Sequence, residues 1–299
     1  MTEQTKPDLL GNIRPIHLMT ILALYLEGAG LARYLGARLD FSVFGLGLSW
    51  LLCLTAGMFL LGDYLQVPFV DPVLPARYRS KERDQSHLSN LLLFGALALI
   101  SAAGVLTLLM GLRGLVTPAV GVILGGYFGL TALVILPGLN LRYSGVGEFL
   151  ISICLVIFPP ALSFYTQYGE FHKFLSLGIF PLFPLHLALI LTLRLRTFPD
   201  DFRAERRTIM VRLGWVRGIF LHNILLLSGF LLFGAAILFG LPVRIAGLVF
   251  LALIPTGYLI WLYSGLERGA PVRWPLIIFL ALVVLFLPLY LMTFTLWIF

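Results

Sequence analysis

The chain has 299 residues, of which 60% are hydrophobic and 12% charged, with 21 Lys and Arg against 14 Asp and Glu for a formal net charge of +7. That composition excludes a water-soluble globule, because the apolar runs reach about 18 to 25 residues, the length a helix needs to cross roughly 30 Å of hydrocarbon. In a soluble protein the excess of positive charge would point to nucleic acid; here it lies between apolar runs and reads as membrane topology, with no nucleic-acid partner.

Long apolar runs without alternation predict helices, since lipid offers the backbone no partners and leaves only helices or closed barrels. Nine spans are predicted, at 16–35, 43–65, 88–112, 117–136, 146–167, 174–195, 216–239, 244–263 and 274–297. The expected fold is all-α: a polytopic membrane protein of nine transmembrane helices around a central cavity, with residues 1–299 forming one domain. The polar N-terminus lacks the short apolar core of a signal peptide and is expected to be retained. Cys53 and Cys154 both fall in apolar helices and read as small buried hydrophobes.

A cytoplasmic N-terminus puts the connections after spans 2, 4, 6 and 8 on the same side. Of the 21 Lys and Arg, only Arg33, Arg38, Arg113, Lys173 and Arg244 then fall on the other side. This bias predicts a multi-pass protein of the cell (cytoplasmic) membrane with its N-terminus in the cytoplasm. It also places the two long polar stretches, 66–87 and 196–215, as cytoplasmic caps on one face. They lie four helices apart and are alike in character, which suggests a four-plus-four arrangement with a ninth helix added.

The first cap follows GDYLQ, with Asp63 in the last turn of span 2, Asp71 beyond Pro68, and then Arg77, Arg79, Lys81 and Arg83. A carboxylate at a membrane helix end is costly unless it meets water, a cation or a partner. Such oxygens suit Mg²⁺ on a phosphate, and arginines suit the phosphate itself. The other reading is a basic loop on anionic lipid, with the acids as its internal partners.

The stretch 193–214, LRLRTFPDDFRAERRTIMVRLG, holds Asp200, Asp201 and Glu205 among Arg194, Arg196, Arg203, Arg206, Arg207 and Arg212. A helix continuing past the membrane would put Thr197, Asp201 and Glu205 on one face, with Asp200 one position off it. Pro199 would bend or restart that helix. Lipid anchoring explains the arginines but gives no reason for three acids.

Between spans 4 and 5, LNLRYSGVGEFL clusters Arg142, Tyr143 and Ser144, and Gly145 with Gly147 permits a tight entry into the helix. An interfacial tyrosine beside a snorkelling arginine is the plainer reading. Glu27 falls in mid-span 1 and must face the bundle interior, be protonated or find a partner on another helix. His17, His87, His172, His186 and His222 are scattered without ligand spacing and receive no metal role.

Together these residues resemble the UbiA superfamily of membrane prenyltransferases, most closely its naphthoate prenyltransferase (MenA-like) branch, over most of the chain. The resemblance rests on Arg14-Pro15 ahead of the first span and GAG within it, GDYLQ at the end of span 2, RYSGVGEF at the start of span 5 with FYTQYGEF at its far end, and above all DDFRAERRTIMVRLG. It implies a Mg²⁺-dependent transfer of a polyprenyl group from its diphosphate to an aromatic or other hydrophobic acceptor, as in quinone biosynthesis, with the tail in an apolar groove open to membrane lipid. By the same resemblance, Asp63, Asp201 and Tyr143 would be catalytic. Arg142, Ser144, Arg206, Arg207 and Arg77 would bind the diphosphate, and Asp63, Asp71, Asp200 and Asp201 the metal.

Three positions depart from the family pattern: Gly62 stands where Asn is expected, Gln66 where a metal-binding Asp is expected, and Thr197 where the second motif begins with Asp. Two alternatives therefore stay open. One is an isoprenoid-binding or scaffold protein that keeps the fold without ordinary transferase activity. The other is a transporter of lipidic anions, which the basic loops and Glu27 would also suit.

Overall fold

The computed structural model describes residues 13–65, 79–139, 141–267 and 271–298. Every regular element among them is a helix. The chain runs α1 (Ile13–Tyr34), α2 (Phe41–Tyr64), α3 (Arg79–Leu112), α4 (Pro118–Ile135), α5 (Gly145–Tyr168), α6 (Lys173–Ile179), α7 (Leu182–Arg203), α8 (Ile209–Leu238), α9 (Val243–Ala246), α10 (Leu253–Glu267) and α11 (Trp274–Ile298).

Side chains set where several of these helices begin. Asp40 accepts from the N–H groups of Ser42 and Val43 ahead of α2, and Thr117 accepts from Val120 ahead of α4, where Pro118 occupies the first helical position. Ser144 and Thr208 do the same for α5 and α8.

Nine segments among the described residues are long and apolar enough to cross a membrane. α6 and α7 together make one of them, and α9, a 3₁₀ stretch (Gly247–Ala252) and α10 make another. The fold is thus an all-α, multi-pass membrane bundle. α7 and α1 are its innermost crossings, with 72% and 67% of their membrane windows buried, whereas α3 at 17% lies on the outside against α2. Inside, Trp50 donates to Thr107, and Thr55 bonds the Tyr127 hydroxyl, so α2 is tied to α3 and α4 by satisfied polar pairs.

The polar stretches are more helical than their composition suggests. α3 spans 34 residues and starts at Arg79, so residues 79–87 of the first cap are its opening turns. Residues 66–78, with Asp71 and Arg77, lie outside the described residues. α7 continues through Pro199 to Arg203 and α8 starts at Ile209, which leaves only 204–208 of the second cap outside a helix. α8 is itself broken at Gly214 (φ 76°, ψ 172°), which separates one short turn from the long membrane helix.

Candidate functional site

Three helix junctions meet at one end of the bundle: the last turn of α2, the 3₁₀ turn Leu141–Tyr143 before α5, and the α7–α8 connection. The last two are stitched by backbone. The N–H of Arg207 donates to the carbonyl of Tyr143 and the N–H of Gly145 to the carbonyl of Arg207, each at 3.0 Å. Ser144 and Arg207 thereby form an isolated parallel bridge. Gly147 makes the tight entry possible, since a Cβ there would lie 1.8 Å from the carbonyl oxygen of Leu141. The Ser144 hydroxyl is used within this turn, donating to Leu141 and accepting from Gly147.

Ionic side chains converge on this frame. Asp63 pairs with Arg142. Asp201, fully buried, accepts from Arg206 at 2.7 Å and from the Thr197 hydroxyl at 3.0 Å, with Arg194 4.0 Å away. Glu148, also buried, lies 2.7 Å from Arg194 Nε through Oε1 and accepts the Ile209 N–H at 2.9 Å through Oε2. The Arg206 guanidinium stacks 4.0 Å from the centre of the Tyr143 ring, with Arg142 and Arg194 at 5.9 and 6.0 Å. Tyr143 is thus the hub on which three guanidinium groups turn.

Three carboxylates match three guanidiniums in this cluster, so each buried acid has an arginine in reach. Burial lowers the Arg142 pKa from its usual value, with Tyr143 opposing and Arg206 adding to the effect. A guanidinium starts so high that it remains protonated. Nη1 of Arg142 is buried without a hydrogen-bond partner among the described residues. Gly62 explains how the arginine comes so close, because a Cβ at that position would lie 2.7 Å from Nη1. Gly62 thus makes room for the arginine that binds Asp63.

Of the residues expected at the site, Asp63, Arg142, Tyr143, Ser144, Asp201 and Arg206 are brought together. Arg207 contributes its backbone while its side chain is exposed. Asp200 is not part of the cluster: its side chain is 75% exposed and pairs with Arg203 on the surface. Thr197 and Asp201 share a face as expected, but Glu205 lies beyond the helix, exposed and with a φ of 51°. Asp71 and Arg77 lie outside the described residues. Glu27 faces the interior beside Gly178, and its Oε2 has no partner among the described residues. The sequence reading missed Glu148 and the role of Arg194; the one signal for the former is an acid in the first turn of an otherwise apolar helix.

Among the described residues no three His, Cys, Asp or Glu side chains gather as metal ligands. Asp63 and Asp201 each already hold an arginine. These residues do not by themselves fit a magnesium ion.

Beside the cluster, a cleft of about 310 Å³ opens between α2, α3 and α4, lined by Met58, Leu61, Leu65, Ile100, Phe128, Ala132, Ile135 and Leu136. Its lining is wholly apolar, and Leu61 and Leu65 bracket Asp63 on α2. The exposed rim residues Leu65, Phe128 and Leu136 leave it open to the outer face. An arginine cluster above an apolar cleft suits an amphiphile with an anionic head. Compared with models of known protein families and with curated proteins, the chain finds no match.

Proposed function

We propose that the protein is a UbiA-type prenyltransferase of the cytoplasmic membrane, binding a polyprenyl diphosphate by its head at the Arg142–Tyr143–Arg206 cluster and by its chain in the α2–α3–α4 cleft. The observation that carries this reading is that Asp63 and Asp201, far apart in the sequence, sit in one ionic network bridged by those residues. The charge bias of the connections supports a cytoplasmic position for this end and for the N-terminus.

In this reading Arg142, Arg206 and Arg194 share the charge of the diphosphate. As the allylic C–O bond breaks, negative charge grows on the departing diphosphate. Guanidiniums already fixed around Tyr143 stabilise it without reorganising. The acceptor, an electron-rich aromatic, attacks the allylic carbon. The described residues give magnesium no site of its own, so the arginines carry the head-group charge.

A second reading is a non-catalytic isoprenoid-binding protein. What favours it is that each acid of the cluster is already neutralised by an arginine.

The test is diphosphate release from geranylgeranyl diphosphate by the purified full chain, with and without Mg²⁺, across a panel of hydroxylated aromatic acceptors. Release that is lost in Asp63→Asn and Asp201→Ala supports the transferase. Tight donor binding without turnover supports the second reading, and counterflow of labelled lipid phosphate in proteoliposomes would replace both by a transporter.

A further inference from the structure

One to two helical turns beneath the ionic cluster lies a second polar group to which the sequence assigns no role. His17 on α1 and His186 on α7 are buried, at 3% and 0% exposure, with ring centres 6.2 Å apart. Ser152 on α5, one turn below Glu148, bonds His186 Nδ1 at 3.1 Å.

The hydrogen bonds fix which way this group points. The single proton of the Ser152 hydroxyl goes to the carbonyl of Glu148, at 3.0 Å. With the hydroxyl donating in that direction, its oxygen accepts from His186 and Nδ1 carries the ring proton. In the neutral imidazole, Nε2 is then a bare lone pair. Among the described residues that atom is buried without a partner, and so is Nδ1 of His17.

Another buried histidine shows that the fold can satisfy such a ring. His222 Nε2 bonds Thr192, which accepts from Tyr263, and His222 Nδ1 bonds the Asn223 side chain. Buried polar atoms are normally paired, so an open lone pair beside a second open ring nitrogen marks a missing donor. Their ring centres, 6.2 Å apart, are close enough for one oxygen to be hydrogen-bonded to both rings.

The way in is apolar. Phe59 packs 5.5 Å from the His17 ring and lines a small void of about 20 Å³ together with Met58, Ile135, Ile151 and Leu155. Met58 and Ile135 also line the lipid-facing cleft, so the void and the cleft share a wall built in part by a flexible methionine.

We propose that His17 and His186, oriented by Ser152, form the subsite that takes the hydroxyl of an aromatic acceptor, with His186 Nε2 accepting its O–H. This rests on the transferase reading above. When the acceptor's ring carbon bonds the allylic carbon, the C–O bond to the diphosphate breaks and its electron pair leaves with the diphosphate. The hydroxyl proton passes to Nε2, and the acceptor is left as its neutral keto tautomer.

The probe is 1-naphthol against 1-methoxynaphthalene, titrated into the full chain in detergent without donor. Wild type should prefer the naphthol about tenfold, the worth of one hydrogen bond. His186→Leu should lose that preference, and His186→Gln, which keeps an acceptor oxygen near the same place, should retain part of it. Binding of geranylgeranyl diphosphate should be unchanged in both. Equal wild-type affinities for the two probes overturn the subsite whether or not the variants fold, and so does a preference that survives in His186→Leu. If wild type transfers no prenyl group yet discriminates the probes, the transferase reading fails and the hydroxyl subsite stands.

Discussion

Where α1 ends and α2 begins, Asp40 is exposed, caps α2 and exchanges two hydrogen bonds with the Gln167 side chain, while Arg113 reaches Ser42 and Arg244 reaches the Tyr34 hydroxyl. At the opposite end the same residue types are buried: Asp201 and Glu148 are almost wholly shielded and held by arginines from α7 and the α7–α8 connection. The first set finishes helices at a water surface, which a membrane protein needs wherever a helix stops. The second does more than finish helices, because a charge away from water persists only with a partner in good geometry. The contrast marks the end at which acids and arginines are buried together.

The sharpest way to break this contrast is Arg194→Met, which leaves Glu148 and Asp201 short of a shared partner. It should cost about 3–5 kcal/mol, read as a large drop in the detergent melting temperature together with loss of donor binding. If stability is unchanged, the buried end is no more demanding than the exposed one. Asp40→Ala should cost about 1 kcal/mol through the lost cap of α2 and leave the Kd for geranylgeranyl diphosphate untouched. A change in donor affinity there would erase the distinction between the ends. Asp200→Ala removes only a solvent-exposed pair with Arg203. It should alter neither melting nor donor binding, although its neighbour Asp201 is indispensable to the cluster.

The pair Asp200 and Asp201 shows what could be read from the chain and what could not. The nine crossings were legible because lipid imposes a length and an apolar composition that sequence carries openly. The Thr197–Asp201 contact was legible from helical spacing. Which of two adjacent aspartates faces inward depends on the continuation of α7 through Pro199, which local propensity argues against. Glu148 was illegible for a different reason: its meaning comes from Arg194 and Ile209, brought to it only by packing of α5 against α7 and α8. His17 and His186 were set aside because their proximity exists only in the folded bundle.

The length of α3 sets how far helix extends at this end. Its apolar stretch begins at Ser89, so the residues from Arg79 onward continue it as helix by about 15 Å. Their sequence, RSKERDQSH, is of mixed charge, and α3 packs along α2, the helix whose last turn carries Asp63.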